Sequence, residues 1–167
     1  MKTLYIVRHA KSSWNYTDVK DYDRPLTERG INDAYLMSSV IKTKIKKPDV
    51  FLSSSANRAL HTAIIFSDTL GYPLTNLKIN RSLYSFSDGY LLKTIYALDD
   101  DFDTAIIFSH NHGINDFVNK FGNQTIDNVP TAGVVGIQFD ENHWKNIKQG
   151  ETILVEFPKF HKSKKEE

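Results

Sequence analysis

Two arginines and two histidines stand close behind predicted strands, where side chains can meet a ligand. Arg8 and His9 end the first strand, Arg58 lies shortly after the second, and His110 follows a later, strongly apolar strand. The carboxyl ends of parallel strands share one edge of a sheet, so these side chains can reach a single pocket. No carboxylate accompanies them in the same motifs, and the four would repel one another unless an anion lay between them. Guanidinium forks match phosphoryl oxygens, so the pattern predicts a phosphoryl-binding site.

The elements that carry these residues alternate between strands and helices. Apolar runs predict strands at 4–7, 50–52, 77–80, 104–108 and 134–139, and helices at 27–44, 54–70, 87–98 and 114–121. Thr27 is the expected N-cap of the first helix, a serine among residues 53–55 caps the second, and Gly71 and Gly122 follow helix ends. Segments 143–148 and 152–157 are expected to form a hairpin or edge pair. We therefore predict an α/β, three-layer sandwich with a mostly parallel central sheet and helices on both faces.

Composition limits the classes of function. The 167 residues suit one domain, which we place at 1–158, followed by a charged tail at 159–167. A net charge of +1 argues against nucleic acid or a membrane surface as partner, and no apolar run is long enough for a membrane span. The absence of cysteine excludes thiolate zinc sites and cysteine-nucleophile phosphatases. The start of the chain lacks a secretory signal pattern, so we expect a cytoplasmic protein.

Four motifs, in this order and spacing, resemble those of the histidine phosphatase superfamily, whose fold is also called phosphoglycerate-mutase-like. The motifs are Arg8-His9-Ala10, Pro25-Leu26-Thr27-Glu28-Arg29-Gly30, Ser54-x-x-x-Arg58-Ala59-x-x-Thr62-Ala63 and Ser109-His110-Asn111. The compact length, the Arg-His-Ala-Lys-Ser start and Pro130-Thr131-Ala132-Gly133 are more similar to the small branch of that superfamily. The SixA phosphohistidine phosphatases typify this branch. The resemblance spans residues 1–139.

The resemblance implies a role for each matching residue. His9 matches the nucleophile that becomes phosphorylated, and His110 matches a second pocket histidine that donates to the phosphoryl oxygens. Arg8 and Arg58 match arginines that hold those oxygens, and Arg24 matches a further anion contact. For attack, His9 must present an unprotonated ring nitrogen while its other nitrogen donates to a backbone carbonyl. Attack then forms a phosphohistidine that water displaces, and we expect no metal or other cofactor.

The segment in which larger relatives carry a glutamate as general acid, residues 82–88, contains none. Asp88 is the nearest carboxylate; we name it as a possible general acid, although a place at a helix start explains it equally well. A site without a strong acid suits a good leaving group, such as that of a phosphoramidate. No insertion is long enough for a cap domain, and an open pocket favours protein side chains. We therefore expect a metal-independent, SixA-like phosphatase whose partner is a phosphorylated substrate such as a phosphohistidine protein.

Several alternatives stay open. His110 and His112 alternate after a strand, and together with His9 they would suit a metallohydrolase, although the neighbouring arginines oppose a dication. The others are a phosphate-binding module without turnover, a broad small-molecule phosphatase and a phosphoglycerate mutase. Trp14 is expected either to line the pocket mouth or to pack in the fold, and the oligomeric state is not predicted.

Overall fold

A six-stranded sheet forms the centre of the computed structural model, which describes residues 1–163. The strands are β1 (Lys2–Arg8), β2 (Val50–Ser53), β3 (Lys78–Ile79), β4 (Thr104–Ser109), β5 (Val134–Phe139) and β6 (Glu151–Glu156). Their order is β3-β2-β4-β1-β5-β6. Strands β1 to β4 pair in parallel, whereas β5 is antiparallel to both β1 and β6. The predicted, mostly parallel sheet is confirmed, and its antiparallel strands lie at one edge.

Four α-helices of the described chain cover the two faces of this sheet. They are α1 (Glu28–Lys42), α2 (Asn57–Leu70), α3 (Asp88–Tyr96) and α4 (Gly113–Phe121). Successive side chains of a strand point to opposite faces, and β1 shows the consequence. Leu4 and Ile6 lie in a buried cluster with α3 and α4, whereas Tyr5 and Val7 lie in a second cluster with α1 and α2. This is the predicted three-layer sandwich, with no cap domain over the described residues.

The helix ends follow the sequence signals in part. Thr27 caps α1 as predicted, because its hydroxyl oxygen accepts from the backbone N–H of Gly30 at 2.9 Å, and Gly71 ends α2 in the left-handed region at φ 72°. No serine is the N-cap of α2; Ala56 holds that position, and Ser54 Oγ accepts from the Ala56 N–H at 3.2 Å just ahead of the helix. Gly122 has an ordinary φ of −87°. Its lack of a side chain permits close approach instead, since a Cβ there would lie 2.8 Å from the Val118 carbonyl oxygen.

Segment 143–148 is not a strand, and that part of the prediction is wrong. Trp144–Asn146 forms a short 3₁₀ helix, while β6 alone pairs with β5. Trp144 and Ile147 are both buried, and their spacing of three fits a tight helical turn rather than the alternation of a strand. Asp100 Oδ1 accepts from the Trp144 backbone N–H, and the indole N–H donates to the Phe102 carbonyl, both at 2.8 Å. These bonds hold the segment against the domain.

The end of the chain packs against the domain as far as the structure describes it. Phe160 stacks on Phe157 with ring centroids 5.2 Å apart, and Lys162 Nζ lies 2.6 Å from a carboxylate oxygen of the buried Asp33. Residues 164–167 of the predicted charged tail lie outside the described residues. Among residues 1–163, no helix combines the length and the hydropathy needed to cross a membrane.

Candidate active site

The carboxyl ends of β1, β2 and β4 meet at a cavity of about 250 Å³. Backbone bonds join the segments that follow these strands: His9 N–H donates to the Ser109 carbonyl at 3.2 Å, and Ser54 N–H donates to the Phe108 carbonyl at 2.9 Å. Five of the six predicted site residues line the cavity, namely Arg8, His9, Arg24, Arg58 and His110. The sixth, Asp88, is the first residue of α3 and is not among the lining residues.

The His9 ring is oriented by its own neighbour in the chain. Nδ1 lies 2.7 Å from the Ala10 carbonyl oxygen, which can only accept, so Nδ1 carries the hydrogen and Nε2 is unprotonated. Burial, together with the charges of the three arginines, lowers the pKa of His9 to about 3 against the opposing bond to Ala10. A neutral imidazole with a bare Nε2 is the form that can attack phosphorus.

His110 lies beside His9 and is bonded from the other side. The two ring centroids are 5.2 Å apart, and His110 Nε2 lies 2.8 Å from Ser54 Oγ. Ser54 Oγ has two partners within the described residues, and since the Ala56 N–H can only donate, His110 Nε2 is the acceptor available for the Ser54 hydrogen. The hydrogen of the neutral ring is then on Nδ1, which is buried and has no partner within the described chain. Burial, with the neighbouring His9 ring and the charge of Arg58, lowers the pKa of His110 to about 2.

Asp21 is one of the cavity residues that the sequence prediction missed. It begins a short 3₁₀ helix, Asp21–Asp23, in the segment between β1 and α1. Its Oδ1 accepts from Arg24 Nε at 3.1 Å, and its Oδ2 accepts from Arg58 Nη2 at 3.1 Å. The backbone carbonyl of Asp21 also accepts from Arg58 Nη1 at 2.7 Å, and the Tyr84 hydroxyl donates to Oδ2 at 2.7 Å. Two of the arginines therefore have a carboxylate partner, which comes from outside the motifs that hold the predicted site residues.

The charge of Asp21 is secured by these contacts. Burial acts to raise the pKa of its carboxyl, but the hydrogen bond from Tyr84 and the charges of Arg58 and Arg24 outweigh it and hold the pKa below its usual value. Three guanidinium cations and the ammonium of the exposed Lys11 stand against one carboxylate and give the lining a net charge of +3, since both imidazoles are neutral. Such a cavity complements a phosphoryl dianion.

Unused hydrogen-bond donors surround the cavity. Within residues 1–163, six buried side-chain nitrogen or oxygen atoms have no partner, and four of them are N–H groups of cavity residues. These four are Arg8 Nε, Arg24 Nη1, Arg58 Nε and His110 Nδ1. Buried polar groups in folded proteins are almost always paired, so four unpaired donors around one cavity indicate a missing acceptor. An anion with several oxygens supplies it.

Two features bear on the other expectations for the site. Within the described chain, no group of three or more histidine, cysteine, aspartate or glutamate side chains is arranged to hold a metal ion. Trp14 lines the cavity mouth and is 72% exposed, which decides between the two roles that the sequence left open for it.

Comparisons with known proteins find relatives that match most of the chain. Curated relatives include an uncharacterized protein of Mycobacterium tuberculosis, 26% identical over 162 residues that cover 90% of this chain and 98% of the relative. Another is an uncharacterized chloroplastic protein of Arabidopsis thaliana, 26% identical over 86% of this chain and 69% of that protein.

Solved structures share the fold over nearly the whole chain. The protein histidine phosphatase SixA in complex with tungstate superposes with a TM-score of 0.82 at 20% identity, covering 96% of this chain and 99% of that one. A mycobacterial glucosyl-3-phosphoglycerate phosphatase superposes with a TM-score of 0.70 at 11% identity, over 92% and 98% of the two chains. The profile of the histidine phosphatase superfamily (branch 1) matches residues 4–81, which hold three of the four motifs. These motifs and the profile match make residues 4–81 similar to the histidine phosphatase superfamily, and the fold agrees with that similarity.

Proposed function

We propose that this protein is a metal-independent phosphatase that acts through a phosphohistidine on His9, and that its substrate is a phosphohistidine side chain of a protein. The four unpaired N–H donors of Arg8, Arg24, Arg58 and His110 carry this proposal. They are fixed in place before any ligand arrives, so they can stabilise charge that spreads over phosphoryl oxygens without further reorganisation. The SixA complex with tungstate, a tetrahedral oxyanion, supports the same kind of ligand.

Two displacements complete the reaction. His9 Nε2 forms a bond to phosphorus while the bond between phosphorus and the substrate imidazole breaks, and the leaving ring takes a proton from solvent. Water then forms a bond to phosphorus, the bond to His9 breaks, and inorganic phosphate leaves. Dividing the transfer in this way replaces one difficult step by two easier ones.

The substrate class follows from the acid chemistry of the cavity. Asp21 is the single carboxylic residue among the side chains that line it within the described chain, and its lowered pKa makes it a poor proton donor. Asp88 stands outside the lining, so the proposed steps do not use it. An alkyl phosphate needs an acid to protonate its leaving oxygen, whereas the P–N bond of a phosphoramidate breaks more readily than an ester P–O bond. This supports phosphohistidine over sugar or serine phosphates.

A substrate panel with phosphoenzyme trapping tests the proposal. The panel compares a phosphohistidine peptide, an aryl phosphate and a sugar phosphate, with and without a strong chelator. We expect turnover of the first two, insensitivity to the chelator, and an acid-labile phosphoenzyme that is absent in His9→Ala. His9→Ala should remain folded, with a circular dichroism spectrum and a cooperative thermal transition like those of the parent. Phosphate binding without turnover in the parent enzyme would instead indicate a phosphate-binding module, and a chelator that abolishes turnover would indicate a metallohydrolase. The cytoplasmic location stays a prediction from the sequence.

A further inference from the structure

Two aromatic side chains stand exposed at the mouth of the catalytic cavity. Trp14, from the segment after β1, is 72% exposed, and Phe86, from the segment before α3, is 53% exposed. Both line the same cavity as the catalytic histidine. Side chains of this size are normally placed to remove much of their surface from water. Because both rings line one cavity and keep most of their surface exposed, they are available to a group that is bound there.

Each ring is held by a residue of the phosphoryl site. The Trp14 ring lies on the guanidinium of the buried Arg24, whose Cζ is 3.5 Å from the ring centroid. One face of the indole is thus covered by the cation, and its large exposed fraction requires the other face to be open. Phe86 is held against His110, with ring centroids 5.7 Å apart and an interplanar angle of 59°. A group attached to a phosphoryl bound between Arg24 and His110 leaves the cavity beside these two rings.

We infer that Trp14 and Phe86 form a subsite for a flat ring bonded directly to the phosphorus atom. The inference rests on the proposed function, and it deepens it: phosphoryl groups carried by an imidazole or a phenyl ring are selected over those on an aliphatic chain. An aliphatic amine or sugar offers no π-face to an open indole, whereas a planar ring adjacent to phosphorus can stack on it or meet the Phe86 edge. The absence of an acid in the cavity selects the P–N bond, and the two aromatic rings select the ring.

Binding of phosphonates separates this subsite from catalysis, because a P–C bond is not hydrolysed. Phenylphosphonate, cyclohexylphosphonate and methylphosphonate share the anionic head and differ in what it carries. In the parent protein we expect phenylphosphonate to have a Kd about tenfold below that of methylphosphonate, since two aromatic contacts of ordinary strength correspond to roughly that factor. Cyclohexylphosphonate should fall between them, because it has apolar area but no flat face.

The double variant Trp14→Ala/Phe86→Ala should lose the preference for the phenyl compound. The matched control is Tyr16→Ala/Tyr90→Ala. It removes two exposed aromatic side chains, one from the segment after β1 and one from α3, and neither of them lines the cavity. The control should keep the parent preference. Trp14→Ala also uncovers Arg24, but weaker anion binding from that cause would raise all three Kd values by the same factor.

Turnover provides the second measurement. One peptide, phosphorylated on histidine or on lysine, carries the same P–N bond on a ring or on a chain. The ratio of kcat/KM for these two substrates should fall about tenfold in Trp14→Ala/Phe86→Ala and stay constant in the control. The subsite would be overturned if the parent protein showed no preference for phenylphosphonate, or if the double variant kept that preference. If the preference is present but no substrate turns over, the subsite stands and the proposed function fails.

Discussion

Replacing Ser54 by alanine tests how the cavity sets the hydrogen position on His110. Ser54 is fully buried, and its hydroxyl lies 2.8 Å from His110 Nε2. With the hydroxyl removed, Nε2 has no partner, and the ring is free to place its hydrogen there instead of on Nδ1. In that form Nδ1 would present a lone pair to the phosphoryl oxygens, so a donor would become a repelling acceptor.

The size of the effect follows from the bonds that are lost. A buried acceptor without a partner costs about 1–3 kcal/mol of unfolding free energy, so we expect Ser54→Ala to be less stable by about 2 kcal/mol. Removing a donor to a developing oxyanion altogether costs on the order of 10²–10³ in kcat, which is the expectation for His110→Ala. In Ser54→Ala the His110 ring can still carry its hydrogen on Nδ1. The loss of one hydrogen bond raises the free energy of that form by about 1 kcal/mol. That corresponds to a fall in kcat of roughly fivefold.

Steady-state kinetics with an aryl phosphate measure kcat for both variants, and the ¹⁵N shifts of the His110 ring report which nitrogen carries the hydrogen. Ser67→Ala is the matched control, because Ser67 is a fully buried α2 serine whose hydroxyl has no partner. The control should leave kcat within twofold of the parent. A Ser54→Ala enzyme with parental kcat and an Nδ1–H ring would refute the assignment, provided that His110→Ala is strongly impaired.

Three further predictions concern charge. Arg58→Ala should weaken vanadate binding and lower kcat about 100-fold, since one charged donor to the phosphoryl group is lost, whereas the exposed Arg81→Ala should match the parent in both assays. Asp21→Asn should lower the unfolding free energy by about 1 kcal/mol, which is less than for a fully buried pair because the carboxylate is 42% exposed. Saturating phosphate should raise the Tm of this variant more than that of the parent, because the bound anion relieves the charge repulsion among the arginines. An equal rise in Tm would argue against that repulsion. The unfolding free energy should fall as the pH is lowered from 6.5 to 4. The histidines of the unfolded chain take up protons at their ordinary pKa, whereas His9 and His110 stay neutral in the folded protein because their pKa values are about 3 and about 2. Urea titrations at several pH values should show a shallower fall for His9→Ala, and an identical slope would contradict the buried, neutral state.

Residues that directly follow strands could be predicted from the sequence. The apolar run of β1 fixes where the strand ends, and the parallel register brings Arg8 opposite Ser109, next to His110. Backbone geometry alone therefore brings His9 and His110 together across a hundred positions. No detail of loop conformation is needed for this step, which is why both histidines were found.

Asp21 could not be predicted in the same way. The segment between β1 and α1 contains three aspartates, Asp18, Asp21 and Asp23. The local sequence does not distinguish which of them lines the cavity. The 3₁₀ turn directs Asp21 to Arg58, which is 37 positions away in the chain. The only local signal is the spacing of three residues to Arg24, which suits an ion pair but is common in loops. The error at 143–148 has a similar origin: tertiary contacts with Asp100 and Phe102 decide its conformation.

The arginines of the cavity serve two parts of the proposed reaction. While the cavity is empty, burial and the charges of Arg58, Arg8 and Arg24 keep His9 unprotonated, so the nucleophile is ready at neutral pH. When a phosphoryl dianion binds, it offsets most of the net charge of +3, and the same cations then stabilise the charge on its oxygens. Asp21 lowers this net charge by one while leaving Arg58 Nε and Arg24 Nη1 unpaired for the dianion. A carboxylate in a phosphate site thus assists binding, because it orients the cations without occupying all of their donors.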